Sequence, residues 1–249
     1  MDLRVLTFNL RLDTVADGPN AWPYRREVAY QVVRDLQAHI VGFQEVLPRQ
    51  REDLESNLEG YFWIGHGRDA DHGGEQCCIA VSSEFEIQDS GTFWLSPTPD
   101  TPGAMGWDAD VTRICSWVRV KKDDRELTVF NAHWDHRGEV ARLESSKMLF
   151  QRVLSTPGPV LLMGDFNTVP SSAPIQRLTE ILQDSYQVAS AGLDTPTFHG
   201  FGRDTRGLRI DYLLASPEFL TVECRILEQP RDPYPSDHYP VFARYELLW

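Results

Sequence analysis

Cysteine is scarce in this sequence, and its spacing excludes the usual cysteine-based sites. The 249 residues include 4 cysteines, and no two of them form a CxxC pair. They are Cys77, Cys78, Cys115 and Cys224. A disulfide-rich secreted scaffold and a thiolate zinc site are therefore both disfavoured. We expect all four thiols to be reduced and mostly buried, because free cysteine behaves as a small hydrophobic residue.

The sequence also lacks a long apolar run. No segment approaches the roughly 20 apolar residues that span a bilayer. Residues 1–6 are too short and too charged to form a signal peptide, and no apolar anchoring helix is evident. We therefore expect a cytoplasmic protein with no membrane partner, and the sequence indicates no protein partner.

Positive charge is in deficit. There are 24 Lys+Arg against 37 Asp+Glu, which gives a formal net charge of -13. This balance argues against a dedicated nucleic-acid coat, since such binding depends on lysine and arginine, although it permits a locally basic groove. With 41% hydrophobic and 24% charged residues, the chain has the composition of a globular protein. We expect one domain over residues 1–249.

Strand-like segments outnumber helical ones. Helical spacing of apolar residues predicts helices over residues 23–37, 48–58, 139–154 and 173–182. Apolar and β-branched runs predict strands over 3–8, 40–43, 61–64, 77–81, 85–94, 114–120, 127–132, 160–163, 208–214, 222–227 and 239–246. Strand–helix–strand units predict parallel pairs and hairpin-like neighbours predict antiparallel ones. The pattern therefore favours an α/β fold with mixed sheets.

Polar side chains recur at the ends of these predicted strands. Each is a carboxylate, an amide or an imidazole that directly follows or precedes an apolar run. They are Asn9, Glu45, His133, Asp165, Asn167, Asp211, Asp237 and His238. Because ligand sites in α/β sheets lie beyond the strand ends, we expect these side chains to share one pocket. In an extended segment Asp165 and Asn167 would lie on one face and could hold the same substrate atom or water.

Carboxylates that converge in this way repel one another. A like-charge pair about 4 Å apart costs about 4 kcal/mol at an effective dielectric constant near 20. Protonation or a bound cation relieves this cost. Oxygen ligands without thiolates favour a hard cation, Mg2+ first and Mn2+ second.

Each of these residues alone has a simpler explanation. A strand-end Asp or Asn is most often a turn residue or a helix cap, and a lone histidine is most often structural. His133 and His136 have a weak zinc-ligand spacing, but on a strand they would face opposite ways, which disfavours zinc. The inference therefore rests on the recurrence of the pattern.

The polar residues lie in short motifs that resemble the endonuclease/exonuclease/phosphatase superfamily over essentially the whole chain. A single such motif is only moderately specific, whereas six in family order make a strong match. The motifs are Thr7-Phe8-Asn9, Gly42-Phe43-Gln44-Glu45, Asn131-Ala132-His133, Gly164-Asp165-Phe166-Asn167, Arg209-Ile210-Asp211-Tyr212 and Ser236-Asp237-His238-Tyr239-Pro240. The resemblance implies a four-layer α/β/β/α sandwich, with two mixed β-sheets packed face to face, and a Mg2+-dependent phosphoesterase.

The resemblance also implies roles for the metal-binding residues. Glu45 would be the principal metal ligand, Asn9 an auxiliary contact and Asp237 a further ligand. It leaves open whether one or two metal ions act.

Roles in the reaction follow from the same resemblance. Asp165 would position or deprotonate the attacking water, with Asn167 beside it. His238, oriented by Asp211, would act on the phosphate as a base or as an electrostatic partner. His133 would bind a non-bridging phosphate oxygen or assist the leaving group. Which residue is the general base stays open.

Further segments resemble the compact prokaryotic members of the superfamily that are related to nocturnin-like deadenylases. In that branch Arg113 and Arg142 would contact the phosphate, together with Asn167 and His133, and Glu75 would lie near the pocket. No long basic insertion of the apurinic-endonuclease kind is visible, which argues against DNA repair.

Three functions remain open at this point. We favour hydrolysis of a phosphate mono- or diester in a small phosphorylated molecule, because the acidic balance penalises long polyanions. The first alternative is a 3′-exonuclease or another nuclease acting on short RNA or DNA, with Arg203, Arg206 and Arg209 flanking the strand. The second is a non-catalytic binding protein that keeps the fold, which the complete set of site residues disfavours.

Overall fold

The computed structural model describes residues 1–190, 195–204, 207–228 and 233–248. The strands are β1 (Asp2–Asn9), β2 (Ile40–Gln44), β3 (Tyr61–Ile64), β4 (Ile79–Ser82), β5 (Glu86–Trp94), β6 (Ile114–Lys122), β7 (Arg125–His133), β8 (Val160–Asp165), β9 (Gln183–Asp184), β10 (Asp211–Ala215), β11 (Phe219–Ile226) and β12 (Val241–Leu247). The helices are α1 (Trp22–Leu36), α2 (Pro48–Asn57), α3 (Glu139–Ser155), α4 (Ala173–Leu178) and α5 (Ser185–Ser190), and a 3-10 helix covers Val15–Asn20.

The strands form two mixed sheets of six strands each. Their orders are β11-β12-β1-β2-β4-β3 and β5-β6-β7-β8-β10-β9. Each sheet contains one parallel pair, β1 with β2 in the first and β7 with β8 in the second. Helices α1 and α3 connect these pairs, as parallel strands require a crossover connection. The predicted α/β fold with mixed sheets is confirmed.

Alternation along the strands builds three apolar layers. Leu3 and Val5 of β1 belong to a cluster that includes residues of both sheets, such as Met163 of β8. Leu6 and Phe8 of β1 point the other way and pack with α1 and α2. A third cluster joins the outer face of the second sheet to α3 and α4. Two sheets therefore lie between outer layers of helices, as the resemblance implied.

Several element ends differ from the sequence prediction. The helix predicted over 173–182 ends at Leu178, and the chain continues through turns into β9. The strand predicted over 208–214 begins at Asp211, because the main chain of Leu208 pairs with Thr197 and Phe198 in a neighbouring loop. The strand predicted over 77–81 begins two residues late, at Ile79.

The cysteine prediction is confirmed, because all four thiols are free and buried. Among the described residues, no helix is long and apolar enough to span a bilayer.

Gly164 in β8 allows a close approach to β7 that another residue would prevent. Its φ is 141°, and a Cβ atom built on it would lie 1.8 Å from the carbonyl oxygen of Ala132. We expect Gly164→Ala to lower the free energy of unfolding by more than about 3 kcal/mol, since the strand backbones would have to separate. Urea unfolding followed by circular dichroism measures this loss.

Gly158→Ala is the matched control. Gly158 also has a positive φ, 79°, but no atom lies within 4 Å of the position that a Cβ would occupy there. This variant should lose only about 1 kcal/mol, the usual cost of a left-handed conformation. Equal losses in the two variants would contradict the steric explanation.

Candidate active site

The two parallel pairs bring four strand ends to one edge of the sandwich. In the first sheet Asn9, the last residue of β1, lies beside Gln44, and Glu45 follows directly. In the second sheet His133 at the end of β7 lies beside Asp165 at the end of β8. Parallel strands end at the same edge, so this register places the polar residues together.

The antiparallel strands contribute residues from their beginnings. Asp211 opens β10 and pairs in register with Asp165. The segment before β12 is tied to β1, because the Ser236 hydroxyl donates to the Asn9 carbonyl oxygen at 2.7 Å. His238 therefore reaches the same edge. The structure thus brings together the predicted residues Asn9, Glu45, His133, Asp165, Asn167, Asp211, Asp237 and His238.

Asn9 connects the two sheets at this edge. Its side-chain Nδ2 donates to Glu45 Oε1 at 3.0 Å and to Asp165 Oδ2 at 2.9 Å. Its Oδ1 accepts a hydrogen bond from the Arg11 backbone N–H at 2.9 Å. Both amide hydrogens of Asn9 thus face carboxylates. In these contacts the Asn9 side chain donates hydrogen bonds to the carboxylates. The role of Asn9 as an auxiliary metal contact stays a prediction.

Three residues that line the site have left-handed backbone conformations. The φ angles are 55° for Arg11, 59° for Glu45 and 49° for Asn167. For Glu45 this conformation interrupts the strand alternation directly after β2. Such conformations cost about 1–3 kcal/mol and are concentrated at functional sites.

Asp165 and Asn167 do not share an extended segment, which corrects the expectation from their spacing. Asp165 ends β8, and its Oδ1 accepts a hydrogen bond from the Asn167 backbone N–H at 2.9 Å. The carboxylate thereby closes a tight turn, a common arrangement for aspartate. The two side chains still lie at one cavity, because the turn folds Asn167 back towards His133.

Glu45, Asp165 and His238 can offer ligands to one cation. One ligand atom from each lies within 4.8 Å of the others. This group shares Glu45 with the predicted set of Asn9, Glu45 and Asp237. Asp237 lies beside the group, with its Oδ2 3.8 Å from Arg11 Nε, and its role as a ligand also stays a prediction.

The buried carboxylates differ in their proton affinity. Burial and the nearby charge of Asp211 raise the pKa of Asp165 to about 7. Burial also raises the pKa of Asp237. Burial opposes ionisation of Glu45, but the hydrogen bond from Asn9 and the charge of His238 outweigh it and lower the pKa of Glu45. Burial thus disfavours the ionised forms of Asp165 and Asp237, whereas Glu45 is held ionised.

His238 is held as an imidazolium by Asp211. Its Nδ1 lies 2.8 Å from Asp211 Oδ2, and its Nε2 lies 3.8 Å from Asp165 Oδ2. Burial alone would lower the pKa of His238, but the charge of Asp211 and this hydrogen bond raise it well above the usual value. An imidazolium donates hydrogen bonds and does not coordinate metal, so the arrangement favours contact with a phosphate oxygen.

His133 is held in the opposite state. Burial and the charge of Arg113 lower the pKa of His133 well below its usual value. The amide Nδ2 of Asn167 contacts both His133 Nε2 and the Trp134 carbonyl oxygen, each at 3.0 Å. Because the carbonyl can only accept, this nitrogen is a donor, and Nε2 of a neutral His133 accepts from it.

Arg113 and Arg142 have different surroundings. Arg113 is buried and lines the site cavity, with its terminal NH2 group 3.2 Å from His136 Nδ1. Its Nε finds no hydrogen-bond partner in the described structure and lies 3.8 Å from Asp135 Oδ2. Arg142 donates to the Asp135 carbonyl oxygen at 2.9 Å and is not among the cavity-lining residues. Their role as phosphate contacts stays a prediction.

The loop arginines considered for nucleic-acid binding also differ. Arg209 is buried, with its NH2 group 2.7 Å from Asp184 Oδ2, so it is not available to flank a strand. Arg203 is exposed. Arg206 lies outside the described residues.

The site lies in a cavity of about 610 Å³. Sequence reasoning missed part of its lining, namely Arg11, Arg68, Phe198, Leu208 and Ile210. The one available signal was for Arg11, two residues after the strand-end Asn9. Glu75 lines the cavity, as the resemblance implied.

The donor set fits a hard divalent cation. Glu45 offers half-buried and Asp165 buried carboxylate oxygen atoms, which are the ligands that such a cation prefers. The guanidinium of Arg11 is held elsewhere, because its Nε lies 3.0 Å from Asp17 Oδ2, whereas its NH1 group lies 3.9 Å from Glu45 Oε2. A cation between the carboxylates would offset the repulsion between their charges.

Comparison with known proteins agrees with the fold. Residues 6–238 match the model of the "Endonuclease/Exonuclease/phosphatase family". An endonuclease/exonuclease/phosphatase from Bacteroides vulgatus is 36% identical, with a TM-score of 0.93, and 99% of each chain is covered. A mannosyl-6-phosphatase from Bacteroides thetaiotaomicron is 33% identical, with a TM-score of 0.89, and 98% of this chain and 99% of that chain are covered.

The catalytic domain of human nocturnin shares the fold. It is 20% identical, with a TM-score of 0.76, and 98% of this chain and 94% of that chain are covered. No curated protein sequence matches this chain. The resemblance to compact bacterial proteins, with nocturnin more distant, is confirmed. The chain belongs to the endonuclease/exonuclease/phosphatase family.

Proposed function

We propose that this protein is a Mg2+-dependent phosphoesterase that hydrolyses the phosphate ester of a small phosphorylated molecule, with Mn2+ as a substitute cation. The observation that carries the proposal is the convergence of Glu45, Asp165 and His238, with one side-chain nitrogen or oxygen atom of each within 4.8 Å of the others. Glu45 would be the principal ligand of the cation, with Asp165 beside it, and the imidazolium of His238 would face the phosphate. Bound there, the cation would supply charge stabilisation for the phosphoryl oxygens.

The residues of the chain perform the remaining tasks. The imidazolium of His238, fixed by Asp211, donates to a phosphate oxygen and stabilises the charge that develops there. Asp165, which accepts hydrogen bonds from the Asn9 amide and the Asn167 backbone N–H, positions the attacking water and accepts its proton. Neutral His133 and Asn167 stand beside Asp165 and orient the phosphate or the leaving oxygen.

Three observations support a small phosphorylated substrate. The relative from Bacteroides thetaiotaomicron that is 33% identical over nearly the whole chain is a mannosyl-6-phosphatase. A cavity of about 610 Å³ has the size of a small-molecule site. The net charge of -13 also disfavours long polyanions.

A nuclease acting on short RNA or DNA is the alternative within the same chemistry. Hydrolysis of labelled oligonucleotides with a salt-sensitive KM would favour the nuclease. Release of inorganic phosphate from sugar or cyclitol phosphates, without cleavage of oligonucleotides, would favour the small substrate. A protein that binds Mg2+ but hydrolyses no ester in a broad panel would be a non-catalytic binding protein.

Glu45→Gln should abolish both activity and stabilisation by Mg2+. The substitution keeps the shape of the side chain but removes one buried negative charge from the proposed ligands. Mg2+ at a hundred times its Kd should stabilise the wild-type protein by about 2.7 kcal/mol. Calorimetry with Mg2+ or EDTA measures the shift in Tm, and hydrolysis of p-nitrophenyl phosphate measures activity.

The matched control is Glu52→Gln, which changes an exposed carboxylate on α2. It should keep the activity and the Mg2+-dependent shift in Tm. Full activity of the wild-type protein in excess EDTA would refute the metal-dependent mechanism.

Asp211→Asn should remove the positive charge of His238 near neutral pH. The charge of Asp211 is what raises the pKa of His238 against the effect of burial, so the variant should hold a neutral imidazole there. We expect kcat to fall by about a hundredfold at pH 8, and by less towards pH 5, where histidine regains its proton. A loss of kcat that is equal at every pH would contradict the role of the imidazolium.

A further inference from the structure

The loop between β3 and β4 contains Arg68 and Glu75, which form an ion pair and line the cavity. This loop is anchored beside Glu45, because Gln76 and Val46 pair through their backbones. The Gln76 N–H donates to the Val46 carbonyl oxygen at 2.8 Å, and the Val46 N–H donates back at 3.3 Å. Glu75, the residue before Gln76, is thereby fixed near the proposed metal ligand.

Backbone contacts also fix the other residue of the pair. The Arg68 N–H donates to the Glu75 carbonyl oxygen at 3.0 Å, and the Trp94 indole N–H donates to the Arg68 carbonyl oxygen at 2.7 Å. A Cβ at Gly67 would lie 1.8 Å from the Gly73 carbonyl oxygen, so the loop is tightly folded. Arg68 and Glu75 therefore start from defined positions.

The two side chains form a charge-assisted contact on the cavity surface. Arg68 NH2 lies 2.7 Å from Glu75 Oε1, and the side chains are 18% and 15% exposed. Both residues line the cavity. The pair thus offers the site guanidinium donors and carboxylate acceptors while its net charge is close to zero. Such a surface binds hydroxyl groups better than it binds a second anion.

Another part of the lining is apolar. Phe198, Leu208 and Ile210 contribute to the same cavity, and the Phe198 ring lies against His238 with 5.0 Å between ring centroids. A cavity with both a hydrogen-bonding and an apolar lining matches a ring that has hydroxyl groups at its edge and C–H groups on its face.

We propose that the Arg68–Glu75 ion pair selects the alcohol part of the substrate, by binding the hydroxyl groups of a phosphorylated cyclic polyol and by offering a second phosphate no net positive charge. This inference rests on the proposed function, because it concerns the same cavity. It assigns Glu75 as the acceptor of substrate hydroxyl groups and as the negative charge that disfavours bisphosphates. It assigns Arg68 as the donor that offsets this charge.

The two halves of the pair should act in opposite directions on substrate choice. Glu75→Gln should raise the KM for a hexose monophosphate about tenfold. The substitution replaces a charged acceptor with a neutral one, so the hydrogen bonds from the substrate hydroxyl groups become weaker. It should also lower the KM for the corresponding hexose bisphosphate. Arg68→Gln should raise the KM for the bisphosphate, because Glu75 then keeps its full charge. Steady-state phosphate release in Mg2+ gives these values.

p-Nitrophenyl phosphate, which has no hydroxyl groups, separates this inference from the proposed function. In both variants the change in KM for this ester should be smaller than the change for the hexose phosphates. Circular dichroism and the Mg2+-dependent shift in Tm show independently that the variants fold and keep the cation. The control Glu84→Gln breaks the ion pair between Glu84 and Lys122, remote from the cavity, and should leave all KM values unchanged.

The outcomes are distinct. Failure of the wild-type protein to hydrolyse any ester would refute the proposed function itself. A second outcome would overturn only the selection by the ion pair. In it the wild-type protein hydrolyses p-nitrophenyl phosphate, but Glu75→Gln and Arg68→Gln shift the preference between monophosphate and bisphosphate in the same direction. The same conclusion would follow if the wild-type protein showed no preference for hexose monophosphates over p-nitrophenyl phosphate.

Discussion

The two-residue alternation of the strands determines where the polar groups at the strand ends point. On β8, Leu161 and Met163 face the space between the sheets, and Asp165 is the next residue on that face. On β7, Val129 faces the same space and His133 follows in phase. The alternation that places apolar side chains on the face between the sheets therefore also places the polar side chains at the strand ends on that face. A shift of one residue would turn Asp165 towards the outer helices and dismantle the site.

This arrangement concentrates negative charge where water is excluded. Asp165 and Asp211 lie opposite each other on paired strands, and both are almost fully buried. The Asn9 amide and the imidazolium of His238 compensate part of this charge, and burial together with the charge of Asp211 raises the pKa of Asp165. In the proposed mechanism this burial would make the groups effective in catalysis and also dependent on a cation, so the metal site and the acid–base groups would form one electrostatic unit.

The sequence predicted the parts of the site that depend on local patterns. Apolar runs ending in Asn9 and His133 predicted both the strands and the site edge, because alternation is a short-range property. The turn at Asn167, the burial of Arg209 against Asp184 and the position of Glu75 could not be predicted in this way. Each depends on contacts between segments that are distant in sequence or on a local backbone conformation, such as the pairing that holds Glu75 beside the site.

The arginines around the cavity bear on the proposed preference for a small phosphorylated substrate. Arg11 is paired with Asp17, Arg68 with Glu75, and Arg113 lies against Asp135. Each guanidinium keeps donors that can orient a ligand, but its long-range field is offset by a neighbouring carboxylate. In the proposed mechanism, affinity for phosphate would therefore come from short-range contact with His238 and a bound cation, which would reach a single phosphate. A nucleic-acid strand would need unpaired positive charge along its path, and the paired guanidinium groups at this cavity do not supply it.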